Sequence, residues 1–255
     1  MLSFRSLAPI AIACAMATAP HVAAAQTFND GQRGEIQKIV KDYLLAHPEI
    51  LEEVSAELSK RQAAAEAEKH QVAVKKHSDL IFNSPRGVVL GNPKGDVNFV
   101  EFFDYNCGYC KKAMADMLDL MKSDPKLRVV LKEFPVLGPG SVDAARVAIA
   151  VRMQDPSGQK YLDFHQKLLS GRGQADKARA MAAGKDAGLV MARIEKDIAS
   201  PEVNATLMEN FKIAEDMGLN GTPSYVIGND VVVGAMGREI LGKKISEARC
   251  GKASC

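Results

Sequence analysis

The sequence predicts an α/β fold that is interrupted by a helical block and preceded by a helical extension. Three observations point there. Two strand-like runs, VNFVEFF and LRVVLKEFPV, flank the helical segment KKAMADMLDLMKS, so a strand-helix-strand unit with parallel pairing is expected. From Tyr161 to Met217 the pattern stays helical. GTPSYVIGNDVVVGA then reads as two short strands joined at Gly228-Asn229-Asp230, and an amphipathic helix follows from about Arg238 to Ala248.

The first 25 residues form a segment of their own. Arg5 precedes an apolar stretch from Leu7 to Ala19, and small residues lead to an A-x-A site at Ala23 and Ala25. That is the layout of a secretory signal peptide spanning residues 1–25. The stretch is too short and too interrupted by Pro9 and Pro20 to anchor in a bilayer. Ala11-Ile12-Ala13 before Cys14 is a poor lipidation signal. Once Arg5 is removed, basic and acidic residues nearly balance, and no block of like charge points to nucleic acid. No later apolar stretch is long enough for a membrane span.

Residues 26–80 read as an N-terminal helical region. Ile36, Ile39, Val40, Tyr43 and Leu44 recur at helical spacing until His47-Pro48. From Glu49 a second helix carries Leu51, Val54 and Leu58 on one face and fades into RQAAAEAEKHQVAVKK, whose apolar stripe is thin. Two readings stand here: the stripe packs on the following domain, or it forms a self-association stalk that makes the protein a homo-oligomer.

Turn formers in NSPRGVVLGNPKGD, Asn83 to Asp96, mark the boundary to a domain spanning residues 81–255. Within it, SVDAARVAIAVRM begins a helical insertion at about residues 141–217, with breaks at Gly171–Gly173, Gly184 and Pro201. Met114, Met117, Leu118 and Met121 fit core packing of the helix after the first strand.

Four cysteines remain after Cys14 leaves with the signal: Cys107, Cys110, Cys250 and Cys255. An even number in an oxidising compartment favours disulfides. Cys107 sits where a strand hands over to a helix. Unpaired N–H groups and the helix dipole favour a thiolate there. Cys107 is therefore the expected nucleophile. Cys110, one turn on, reaches the same sulfur and resolves a mixed disulfide. Cys250 and Cys255 are read as a local tail disulfide. The rival joins all four thiolates in a zinc site, which would make this a metal-binding protein. A reduced pair also suits Cu(I), although no separate copper motif is present. Lys111 after Cys110 excludes haem attachment. His47, His70, His77 and His165, all on predicted helices, read as surface or capping residues rather than ligands.

EFFDYNCGYC, the helical insertion and the threonine-proline of GTPSYV together resemble the DsbA-like thiol-disulfide oxidoreductases of the thioredoxin superfamily, over roughly Val88 to Ala248. The resemblance implies a thioredoxin fold with an inserted helical domain. It places the nucleophile at Cys107, the resolving thiol at Cys110 and a cis proline at Pro223. No cofactor and no resident metal are expected. Thr222 then offers backbone groups to an extended substrate.

Glu101 falls on one strand face with Val97, Phe99 and Phe103. It is either a carboxylate reaching solvent at a strand edge or a buried proton relay to Cys110. The family carries a glutamate at the matching position. Gly108 and Tyr109 replace the proline and histidine of DsbA, so Cys107 is expected to be less acidic and the protein less oxidising. Gly108-Tyr109 and the threonine before the cis proline are similar to isomerases of the DsbC type. The helical extension resembles that of the ScsC group, some of whose members oligomerise and isomerise disulfides. The resulting expectation is a periplasmic disulfide isomerase or reductase acting on protein substrates, with a redox partner that the sequence leaves open. Net dithiol oxidase is the alternative.

Overall fold

The computed structural model describes residues 28–255; the signal peptide expected over residues 1–25 lies outside them. The chain forms two compact units, one ending at Leu58 and the other beginning at Ser59.

The first unit holds helix α1, Asp30–Ala46, and the start of α2, Glu49–Lys76. Asn29 starts α1 with a reciprocal cap. Its side chain accepts from the Gln32 N–H at 2.9 Å, and its own N–H donates to the Gln32 side chain at 3.0 Å. The His47 N–H closes α1 on the Tyr43 carbonyl, and Pro48 prevents continuation. No residue of α1 is buried, and Leu51, Val54 and Leu58 of α2 are more than half exposed.

In the second unit, the end of α2 runs into a single π turn over Asp79–Asn83. Strand β1, Val88–Gly91, follows, then β2, Val97–Phe103, and α3, Gly108–Ser123. Next come β3, Leu127–Glu133, and a helical run of α4, Pro139–Gln154, α5, Gln159–Ser170, α6, Lys177–Asp186, α7, Met191–Asp197, and α8, Pro201–Asp216. Strands β4, Ser224–Ile227, and β5, Asp230–Val233, and helix α9, Arg238–Cys250, complete it. The sheet order is β1-β3-β2-β4-β5. β2 and β3 pair in parallel across α3, and the other neighbours are antiparallel.

β2 is central, which explains why its sequence is apolar almost throughout. Val97, Phe99 and Phe103 pack in one layer with α3, α9 and the helices α4–α7. Val100 and Phe102 face the other layer, with Ile213 and Ala214 of α8, Ile81 of the π turn, and Ala73 and Val74 of α2. The last turns of α2 thus belong to the core of the second unit.

Several expectations are corrected. The turn-rich boundary Asn83–Asp96 contains a strand, β1, that pairs antiparallel with β3 from Val88↔Leu131 to Gly91↔Arg128. Gly184 does not break a helix. It lies buried inside α6, where an added Cβ would meet Ile194 at 3.3 Å, and the helix ends before Gly188, whose φ is +72°. Asp230 belongs to β5, leaving Gly228-Asn229 as the turn.

His165 is not a surface or capping residue. It is 2 % exposed, stacked on Tyr161 with centroids 5.9 Å apart and edge-on to Phe103 at 4.7 Å. Tyr161, Phe164, Leu168 and Leu169 share its buried face of α5, and burial holds the imidazole neutral, its pKa pushed down to about 3.

Candidate active site

Cys107 caps the N-terminus of α3 in an extended conformation, and Cys110 lies in the first turn. Both thiols are free, and their residues are 6 % and 1 % exposed. The two sulfurs share one proton unequally. The Cys110 thiol donates to Cys107, and this is the largest influence holding the Cys107 pKa down to about 5. The Thr222 side chain and the N–H groups of Cys110 and Tyr109 act in the same direction, while burial opposes them. The same hydrogen bond, followed by burial and the nearby Glu101 charge, drives the Cys110 pKa far upward. One thiol is therefore a thiolate at neutral pH and the other a protonated donor.

Thr222 and Pro223 close the site from the other side. Their peptide bond is cis, and the Thr222 carbonyl oxygen lies 3.1 Å from the Cys107 sulfur. The Pro223 carbonyl accepts from the Gly234 N–H at 2.8 Å, which ties this turn to the end of β5.

Glu101 is 3 % exposed, in the middle of the sheet between Leu131 of β3 and Tyr225 of β4. The alternative of a strand-edge carboxylate reaching solvent is thereby excluded. Burial, then the Cys107 charge, then Asp116 push its pKa up to about 8. Tyr225 beside it is also shifted upward by burial, and its hydroxyl has no hydrogen-bond partner among the described residues.

Gly108 has open space where a side chain would point, and Tyr109 is 64 % exposed, with the Lys112 ammonium 5.8 Å from its ring. Cys250 and Cys255 stand apart from this group. They are bonded to each other at the end of α9, with Cα atoms 6.3 Å apart. The four cysteines therefore do not gather, and no set of three or more metal-ligating side chains occurs among the described residues.

Sequence reasoning passed over two residues just before the pair. Asp104, 1 % exposed, accepts from the Asn106 N–H at 2.7 Å and from the Val136 and Leu137 N–H groups at 2.8 and 2.9 Å. The Asn106 side chain donates to the Ser141 hydroxyl and the Ala175 carbonyl, both at 2.9 Å, and accepts from the Ala175 N–H at 2.7 Å. Two polar residues in an otherwise apolar run, directly before a cysteine, were the available signal.

Residues 99–246 match the DSBA-like thioredoxin domain, and residues 32–65 match the copper resistance protein ScsC N-terminal domain. Among solved structures, a thioredoxin-like oxidoreductase from Silicibacter pomeroyi is similar at 41 % identity, covering 67 % of this chain and 96 % of that one, with a TM-score of 0.64. The thiol-disulfide exchange protein alpha-DsbA2 of Wolbachia pipientis is similar at 29 % identity, covering 72 % of this chain and 97 % of that one, with a TM-score of 0.66. A linker-deletion mutant of Proteus mirabilis ScsC is similar at 26 % identity over 88 % of this chain and 98 % of that one, with a TM-score of 0.66.

Among curated proteins, Na(+)/H(+) antiporter NhaA 1 of Salinispora arenicola is 23 % identical over 168 residues, and the chain spans 25 % of that protein's length. No helix among the described residues is long and apolar enough to cross a membrane. The DSBA-like match takes in more than half of the sequence. The chain therefore belongs to the DsbA-like thioredoxin family of thiol-disulfide oxidoreductases, and it carries an ScsC-type N-terminal region.

Proposed function

We propose that this protein works in the periplasm, exchanging disulfides with protein substrates through Cys107, and that it mainly isomerises or reduces them. The observation that carries exchange through Cys107 is the opposite bias of two thiols one helical turn apart, Cys107 toward thiolate and Cys110 toward thiol. The Cys107 thiolate attacks one sulfur of a substrate disulfide, that bond breaks, and the leaving sulfur takes up a proton. A substrate thiolate that then attacks the mixed disulfide releases Cys107 and completes an isomerisation with no net redox change. If Cys110 attacks instead, its proton is taken up by the ionised fraction of Glu101, a minority at neutral pH because its pKa is about 8. The substrate leaves reduced, and Cys107 and Cys110 become a disulfide that a separate reductant must reset.

Thr222 and Pro223 present backbone to an extended substrate, and Gly108 and Tyr109, standing where DsbA has proline and histidine, tune the acidity of Cys107 that the Cys110 thiol chiefly sets. The absence of a histidine between Cys107 and Cys110 removes one stabilising neighbour of the thiolate, which supports a pair less oxidising than that of DsbA. The bare apolar face of α1 and the start of α2 supports self-association. Export rests on the N-terminal signal, and the tail disulfide on the pairing of Cys250 and Cys255. Net oxidation is the second reading. A thiolate stabilised this far below the ordinary cysteine range favours the reduced pair, and hence oxidation of clients. Refolding of a scrambled and of a fully reduced substrate protein separates the two. Isomerase function requires recovery of the scrambled protein under reducing buffer, and recovery of only the reduced protein by the oxidised enzyme would establish the oxidase.

A further inference from the structure

We infer that Asn106 is a positioning residue for the redox pair, coupling the turn that holds Cys107 to the helical insertion. The inference deepens the proposed function and rests on that reading of Cys107. Every polar atom of the Asn106 side chain is engaged by residues that lie after β3. The amide nitrogen donates to Ser141 on α4 and to the Ala175 carbonyl in the α5–α6 loop, and the amide oxygen accepts from the Ala175 N–H. The side chain thus pairs with the Ala175 peptide in both directions, a geometry that permits little rotation.

On the other side of the same turn, Asp104 holds Val136 and Leu137, which lead into α4. Asp104 also accepts the Asn106 N–H, and its carbonyl accepts the Cys107 N–H at 3.1 Å. Residues 104–107 are therefore a short segment held between the sheet and the insertion.

Cys107 depends on this segment for its chemistry. Its sulfur is stabilised as thiolate by the Cys110 thiol, the Thr222 side chain and the Cys110 and Tyr109 N–H groups, none of which belongs to the 104–106 turn. Whether the sulfur meets those donors depends on the direction in which the Cys107 backbone leaves the 104–106 turn. Hydrogen bonds weaken steeply with misalignment, so a small rotation of the turn changes the acidity of the thiol. Asn106 is neutral, so removing it changes this alignment without altering the charge around the sulfur.

The test uses the full mature chain, with Asn106→Ala and Ser141→Ala compared with wild type. The first readout is the pH midpoint of Cys107 alkylation by iodoacetamide. The second is the equilibrium of the dithiol with oxidised glutathione, in which one glutathione disulfide becomes two thiols as Cys107 and Cys110 join. Asn106→Ala is expected to raise the midpoint by about half a pH unit or more and to shift the equilibrium about threefold toward the protein disulfide. Ser141→Ala removes one of Asn106's three bonds and is expected to move both readouts the same way by less.

A folded Asn106→Ala protein with both readouts unchanged, even with a lower melting temperature, overturns the inference and leaves Asn106 a structural residue. Should Asn106→Ala fail to fold, unchanged readouts in Ser141→Ala overturn it equally. A wild-type pair that does not equilibrate with glutathione defeats the proposed function instead. The alkylation midpoint, which needs only the thiol and the reagent, still decides the positioning role.

Discussion

The sulfur of Cys107 lies 3.1 Å from the backbone carbonyl oxygen of Thr222, while the Thr222 side chain favours the thiolate. One residue therefore gives the sulfur two opposed neighbours. The carbonyl accepts from a thiol and repels a thiolate, and the side chain does the reverse. At neutral pH the thiolate dominates, because Cys107 is held at about 5. The Thr222 carbonyl is then left facing an anion, and in the proposed function a donor from an extended substrate backbone would satisfy it.

The two thiols are expected to behave differently when each is replaced. Cys107→Ser should abolish exchange, whereas Cys110→Ser should accumulate mixed disulfides with substrates. Alkylation at pH 6 should label Cys107 and spare Cys110. The Cys107 pKa is depressed, so the reduced unfolded chain binds more protons than the folded one between about pH 5 and its unfolded value of 9. The reduced protein should therefore gain stability relative to the disulfide form as pH rises through that window, and lose that gain as pH falls through 5. Urea melts of both redox forms at several pH values measure it, and a difference independent of pH would reject the thiolate assignment.

Glu101 carries the opposite slope. Its folded pKa of about 8 lies above the ordinary carboxylate value, so the folded state holds a proton that the unfolded chain releases between about pH 4.5 and 8. Stability falls with rising pH over that range. Glu101→Gln removes this cost, and the variant should exceed wild type in stability by more at pH 8 than at pH 5. If Glu101 relays protons as proposed, the variant should also slow turnover, by more at pH 8 than at pH 6, because only the ionised carboxylate can take up the Cys110 proton. Unchanged exchange rates from pH 6 to 8 would confine Glu101 to a structural role.

The features legible in the sequence were those whose cause is local. β2 shows in VNFVEFF because a strand buried on both faces is largely apolar, and Cys107 stands out because it opens the helix that follows. Met117 is buried, and Met114 and Met121 pack against the same layer, as helical spacing alone requires. β1 was hidden because VVLG is four residues long between Gly87 and Pro93, and its partner β3 lies about forty residues on. Gly184 reads as a breaker in isolation, but close packing against Ile194 fills the space beside it. His165 is held by Phe103 and Tyr105, and Asn106 by Ser141 and Ala175, 35 and 69 residues away. No periodicity within a single element encodes such contacts.

Lys132 and Glu209 form a buried pair whose two halves should respond unequally to removal. The Lys132 side chain is fully buried, with its ammonium 3.7 Å from Glu209, and burial pushes its pKa down to about 8. Glu209 also accepts from Arg86 at 2.8 Å and from the Ser84 hydroxyl. Lys132→Met leaves Glu209 with those partners and is expected to cost less than about 1 kcal/mol, or to stabilise. Glu209→Ala strands a buried ammonium and should cost about 3–5 kcal/mol at pH 7. The unfolded lysine holds its proton up to about 10.5, so wild type should gain stability between pH 8 and 10.5, a gain absent from Lys132→Met. Chemical denaturation at pH 7 and 10 checks both statements.

The N-terminal unit gives the last expectation. No residue of α1 is buried, Ile39 and Leu45 are 67 % and 70 % exposed, and Leu51, Val54 and Leu58 are each more than half exposed. Apolar side chains so exposed gain free energy only when another surface covers them, and in the proposed oligomer other copies of this chain would supply one. An oligomer would bring several Cys107 thiolates to one client and raise the local concentration that repeated attack and release require. The truncation that tests this should end at Leu58. A longer deletion, to residue 80, would remove Ala73 and Val74 from the core of the second unit and confound loss of assembly with loss of stability. The protein lacking residues 26–58 is expected to sediment as a monomer and to reduce simple disulfides at the wild-type rate, while losing isomerisation of scrambled substrates. Leu51→Glu combined with Val54→Glu in the full mature chain should reproduce that pattern. A full-length protein that already sediments as a monomer would end the stalk reading and leave net oxidation as the better account of the pair.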